Sequence, residues 1–147
     1  MITGINELKS DIRKIKTIDT SGLNQRRAKV FKSNLEKWLK EGSLGLKSIS
    51  PATMRQRISN LGGPLYDTGE FAKSSNIHQI GKNTEAGYFE GETTIRGKID
   101  SARLADIHNE GKGNNPWRPF MDNSQMKYEE ELDEEVIDQY LDEVLGV

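Results

Sequence analysis

At 147 residues the chain is the size of one domain with a single core, and its 33% apolar content against 30% charged residues is lean enough to suggest either flexible ends or surfaces buried only against partners. The absence of cysteine excludes disulfides, thiolate metal sites and cysteine nucleophiles. The net charge of −2 hides a gradient: residues 1–60 carry 13 Lys and Arg against 5 Asp and Glu, residues 61–121 carry 7 against 8, and residues 122–147 carry 1 against 10.

Such a dipolar chain can fold its acidic end over its basic end, or stack head to tail with a neighbour so that opposite potentials meet. The start, Met1-Ile2-Thr3-Gly4, lacks the basic and then apolar run of a signal peptide, and no stretch approaches the roughly 18 apolar residues of a membrane span. A soluble protein without membrane partners is expected.

Ile5, Leu8, Ile12 and Ile15 fall on one stripe of a first amphipathic helix. Asp19, Thr20, Ser21 and Gly22 offer capping oxygens, and from Leu23 the apolar positions Ala28, Phe31, Leu35, Trp38 and Leu39 predict a second helix that ends at Gly42. Ser50-Pro51 reads as N-cap and first position of a short helix through Met54 and Ile58, stopped by Gly62-Gly63-Pro64. Asp67 and Thr68 are placed to cap a short turn. Residues 77–80, 86–89 and 93–99, short and rich in β-branched or aromatic residues, predict a three-stranded antiparallel meander. Asp100 or Ser101 should cap a helix through Leu104 and Ile107 that ends at Gly111. Asp122 with Gln125 resembles a capping box for a long last helix whose stripe is Leu132, Val136, Ile137, Tyr140, Leu141 and Val144. The class is α+β: amphipathic helices on a small antiparallel sheet, closed by a long acidic C-terminal helix.

The residues offer little for catalysis. His78 and His108 lie thirty positions apart without metal-ligand spacing, and His108-Asn109-Glu110 lacks the second ligand set a nuclease needs. Gly111-Lys112-Gly113 is too short for a phosphate-binding loop, and the acids around Asp133, Glu134 and Glu135 read as a solvated or partner-facing surface. No enzyme activity, cofactor or metal is expected.

Three segments are more particular. Pro64, Leu65, Asp67, Thr68, Gly69 and Phe71 match a Pro-Leu-x-Asp-Thr-Gly-x-Leu pattern with phenylalanine for the final leucine. Ile107, His108 and Gly111 match Ile-His-x-x-Gly, and Arg118, Pro119, Phe120 and Met121, just after Trp117, match Arg-Pro-Phe-Leu with methionine for leucine. With Ser50-Pro51-Ala52-Thr53, Arg55 and Arg57 upstream, the ordered set resembles the tail-completion or virion-morphogenesis family of tailed bacteriophages, the family that includes the Mu-type protein. The resemblance covers residues 50–121 well and the terminal helices only in type; the acidic last helix is stronger than the family pattern leads one to expect. The chain accordingly divides into N-terminal helices (1–48), a family core (49–121) and the acidic helix (122–147), all within one domain.

The resemblance implies a structural virion protein made in the bacterial host cytoplasm. Its copies would form a ring, sixfold in the common case, at the phage neck, completing the tail and joining it to the head. Its partners would be further copies and the neighbouring neck proteins, the tail terminator or tail tube and the head-completion adaptor, with DNA passing through the lumen. Alternatives are a tail terminator or head-closure adaptor of the same particle, and a nucleic-acid-binding module using the basic N-terminal region. Arg118-Pro119-Phe120 is expected to anchor either an interface or the core. The stripe of Leu132, Val136, Tyr140 and Leu141 is expected to dock on another subunit or neck protein.

Overall fold

The computed structural model of the chain describes residues 4, 7–10, 13, 20–57 and 62–146. Of the first predicted helix, Ile5, Ile12 and Ile15 lie outside the described residues, whereas Leu8 sits in a helical segment, residues 7–10, and is exposed. The elements that follow are α1 (Thr20–Glu41), α2 (Pro51–Gln56), α3 (Glu70–Lys73), β1 (Asn76–Ile80), β2 (Asn83–Gly87), β3 (Thr94–Ile95), β4 (Ile99–Asp100), α4 (Ser101–Glu110), α5 (Phe120–Glu131) and α6 (Asp133–Leu145). The class is α+β.

Helix α1 is the central element, because Ala28, Leu35, Trp38 and Leu39 recur at helical spacing and are buried. It touches β1, β2, α3, α5 and α6. Thr20, Ser21 and Gly22, expected to precede the helix as caps, are instead its first turn. The core joins Leu35, Trp38 and Leu39 to Leu44, Phe71, Ala72, Ile95, Ala105, Phe120 and Tyr128. Its aromatic centre is geometrically specific. Phe71 stacks on Tyr88 with centroids 4.7 Å apart, and Phe120 meets both edge-on at 5.6 and 5.8 Å.

The predicted meander is replaced by two separate hairpins. β1 pairs with β2 from Asn76↔Gly87 to Ile80↔Asn83, and β3 pairs with β4 through Thr94↔Asp100 and Ile95↔Ile99. The third predicted strand folds back on itself because Arg96 and Gly97, at φ 53° and 63°, reverse the chain, closed by Lys98 N–H on the Ile95 carbonyl.

Local signals set several ends. The Ser50 hydroxyl accepts from the Thr53 amide at 3.2 Å with Pro51 as first residue of α2, which runs to Gln56; Ile58, expected within this helix, lies outside the described residues. Asp100 caps α4 by accepting from Ala102 and Arg103 amides, and Gly111 closes it at φ 67°. The same Asp100 carboxylate accepts from Gly91 N–H at 2.6 Å, the strongest of the bonds that hold it below the usual carboxylate range.

The expected long terminal helix is two helices. α5 begins at Phe120 without a side-chain cap, so Asp122 lies inside its first turn and the Asp122/Gln125 capping box does not form; Gln125 instead donates toward Glu129. The break falls at Leu132, at φ −126° and ψ −32°, where the side chain packs against the core.

Candidate interaction groove

The three motif segments meet at one corner of the fold, each fixed by backbone chemistry. Gly63 N–H reaches the Leu39 and Lys40 carbonyls at the end of α1, and a turn from the Gly63 carbonyl to Tyr66 N–H brings in Pro64 and Leu65. Gly69 lies at φ +85°, and a Cβ there would sit 2.6 Å from the Tyr66 hydroxyl, so this motif position takes glycine on two grounds. Asp67 and Thr68 do not provide the helix cap expected of them. Gly69 occupies the N-cap position without a side-chain cap bond, and the Thr68 hydroxyl only approaches Glu70 N–H at 3.4 Å. Asp67 accepts instead from the Arg96 guanidinium at 2.5 Å, while the Glu70 carboxylate takes Arg96 N–H at 3.0 Å. The Asp-Thr-Gly-Glu segment thus clasps the β3–β4 turn.

The second and third motifs are one joint. The last carbonyls of α4 need donors that the helix lacks, and the following loop supplies them. Ile107 O accepts from Gly111 and Lys112 amides, His108 O from Arg118 N–H at 2.9 Å, and Asn109 O from the Trp117 indole at 2.9 Å. The Asn109 side chain accepts from Met121 N–H at 3.1 Å. Pro119 then stands at the N-cap of α5 and Phe120 enters the core.

Between these segments opens a groove of about 940 Å³. Pro64, Leu65, Asp67, Thr68, Gly69, Phe71, His108 and Arg118 line it, together with Ser50, Pro51, Thr53 and Arg57. Ile107, Gly111, Pro119 and Phe120 do not line it, and Trp117 projects into solvent, 66% exposed. Leu132, Val136, Tyr140 and Leu141 are not brought to this corner.

Part of the stripe they form is engaged within the chain. Helix α6 packs on α1 and α5 of its own chain: Leu132 joins the core, Val136 is buried, and the Arg26 guanidinium lies 5.4 Å from the Tyr140 ring centroid. Arg26 pairs with Glu143 at 2.6 Å, and Arg27 grips Asp133 through two nitrogens at 2.7 and 2.9 Å. The acidic end therefore folds over the basic end, the first of the two arrangements open to a dipolar chain.

The groove is cationic. Among the described residues lining it, Lys47, Arg57, Arg96, Lys98 and Arg118 face a single carboxylate, Asp67. Arg118 is buried and donates to the Lys47 and Ser48 carbonyls at 2.7 and 3.0 Å; Arg57 donates to the Gly63 and Pro64 carbonyls. Among the described residues no carboxylate pairs with either guanidinium. Burial, and then the neighbouring Arg57 charge, pulls Arg118 below its ordinary value. Of these cations Arg57 and Arg118 belong to the sequence motifs; Lys47, Arg96 and Lys98 come from loops whose proximity no local pattern announces.

His108 completes the wall with a buried Nδ1 that has no hydrogen-bond partner among the described residues. Burial, followed by the Arg118 charge, holds its imidazole below the ordinary value. A depressed histidine binds its proton less readily folded than unfolded, so stability should fall as pH drops through the ordinary value of about 6.5 and level off below the folded one. His108→Gln should flatten that slope, read from urea midpoints between about pH 7 and 5.

Among the described residues no group of three or more His, Cys, Asp or Glu is placed to hold a metal ion, and no helix is long and apolar enough to cross a membrane. No protein-family model, curated protein or solved structure matches the chain.

Proposed function

We propose that the chain is a structural subunit of a phage neck, whose copies form a ring, sixfold in the common case, that completes the tail and joins it to the filled head. The observation that carries this reading is the convergence of the motif segments. Residues 50–57, 64–71 and 107–121 are far apart in the chain, yet they build one corner, and their glycine, asparagine and arginine positions have structural reasons to be what they are. The role is architectural, and no catalytic step is assigned.

Partners in this reading are further copies, then the adjoining tail terminator or tube and the head adaptor, in a virion assembled in the bacterial cytoplasm with DNA crossing the lumen. A tail terminator or head-closure adaptor of the same particle would share this chemistry. Nucleic-acid binding through α1 is disfavoured, because Arg26 and Arg27 are engaged by Glu143 and Asp133. Electron microscopy of the purified protein at low salt should display rings. A strict monomer from low to high salt, unchanged when neck partners are added, would overturn the proposal.

A further inference from the structure

We infer that the cationic groove of one copy receives the acidic elbow between α5 and α6 of the next. This rests on the reading of the chain as a self-assembling subunit, and it names the contact that joins the subunits.

The elbow concentrates carboxylates: Glu129, Glu130 and Glu131 end α5, and Asp133, Glu134 and Glu135 open α6. Asp133 is engaged by Arg27 and Glu131 by Lys127, but Glu130 and Glu134 are exposed and have no hydrogen-bond or ion-pair partner among the described residues. Among its described lining residues the groove shows the complementary imbalance of five cations against one carboxylate. Two of those cations, Lys47 and Lys98, are exposed and unpaired among the described residues.

One copy cannot bring the two together. Arg118 and Phe120 stand at the start of α5 and the elbow at its end, 12 helical residues away, so the helix holds them about 18 Å apart. A neighbour can. The subunit has a cationic receptor at one end of a rigid helix and an anionic plug at the other, which makes the contact heterologous: it repeats from copy to copy and closes a ring when the rotation allows. Opposite potentials steer the encounter and reject the reversed orientation. The apolar floor of Leu65, Phe71, Ile95 and Leu104 gives the joint a dry centre.

Full-length chains carrying Lys47→Glu with Lys98→Glu, or Glu130→Lys with Glu134→Lys, test the contact. Circular dichroism should give wild-type melting for both pairs, since all four residues are exposed. Sedimentation at low salt should show each pair arrested as a monomer. Mixing the two should restore assembly with the variants in alternation, because the intact elbow meets the intact groove and the reversed elbow meets the reversed groove. Combining all four substitutions swaps the charges and should restore assembly.

Assemblies that persist unchanged in both pairs overturn this contact while leaving the ring reading intact. A wild-type chain that is monomeric under all conditions overturns both. Assemblies that depend on both charge sets but grow as open filaments support the contact and remove the ring. Groove variants that lose binding to a DNA oligonucleotide while still assembling normally overturn the contact in favour of a nucleic-acid site.

Discussion

Phe120→Ala should destabilise the protein by about 3 to 5 kcal/mol, the range for emptying a large aromatic site in a close-packed interior. Phe120 has no solvent exposure and stands edge-on to both Phe71 and Tyr88, so its loss opens a cavity and removes two aromatic contacts together. A domain of this size has a total stability of roughly 5 to 15 kcal/mol, so the variant should be substantially weakened, with an early urea midpoint and reduced near-ultraviolet dichroism. Met126→Ala, on the exposed side of the same helix, should stay within about 0.5 kcal/mol of wild type. Equal midpoints for the two variants would show that Phe120 does not organise the core.

Gly63→Ala should cost about 3 kcal/mol, from collision rather than from a cavity. An added Cβ would stand 2.6 Å from the Leu39 carbonyl oxygen in the last turn of α1 and 2.7 Å from the Cα of Gly42 just after it, both backbone atoms. Neither can swing aside, so the loop must lift, and with it go the hydrogen bonds from Gly63 N–H to Leu39 and Lys40. Gly45→Ala provides the comparison. Gly45 also has a positive φ, 64°, but no atom within 4 Å, so only the left-handed conformation is penalised, at roughly 1 to 2 kcal/mol. Calorimetric melting of the two variants separates close approach from conformational preference; a smaller loss at Gly63 than at Gly45 would refute the collision.

Elements set by short-range chemistry were legible in the sequence. The apolar spacing of α1, the Ser50-Pro51 start, the Asp100 cap and the Gly111 stop each depend on residues within one or two turns. The elements that depart from the local sequence signal are those whose outcome distant contacts decide. Thr93 to Ile99 has strand composition, but Arg96-Gly97 is a turn signal inside it, held by Asp67 and Glu70 from elsewhere in the chain. The break at Leu132 has neither glycine nor proline to mark it; core packing of Leu132 and the Arg27 grip on Asp133 produce it. The same grip explains why the terminal stripe looked free, since its partner is more than 100 positions upstream. At the groove, the motif residues Arg57 and Arg118 were legible in the sequence, whereas Lys47, Arg96 and Lys98 join them only through the folding of loops 47–48 and 96–98.

The fastening of α6 has a consequence for how the native state opens. Val136 is its one buried residue, and α6 is also tied to α1 by the pairs of Arg26 with Glu143 and Arg27 with Asp133, the first of them solvent-exposed. Partly exposed ion pairs weaken as salt screens them, whereas α5, with Phe120, Ser124 and Tyr128 buried, is tied to the core. The amide hydrogens of α6 should therefore exchange with deuterium faster than those of α5, with a gap that widens as salt is added. Each such opening uncovers Arg26 and Arg27 for as long as it lasts, so the basic face of α1 is displayed in pulses whose frequency the ionic strength sets.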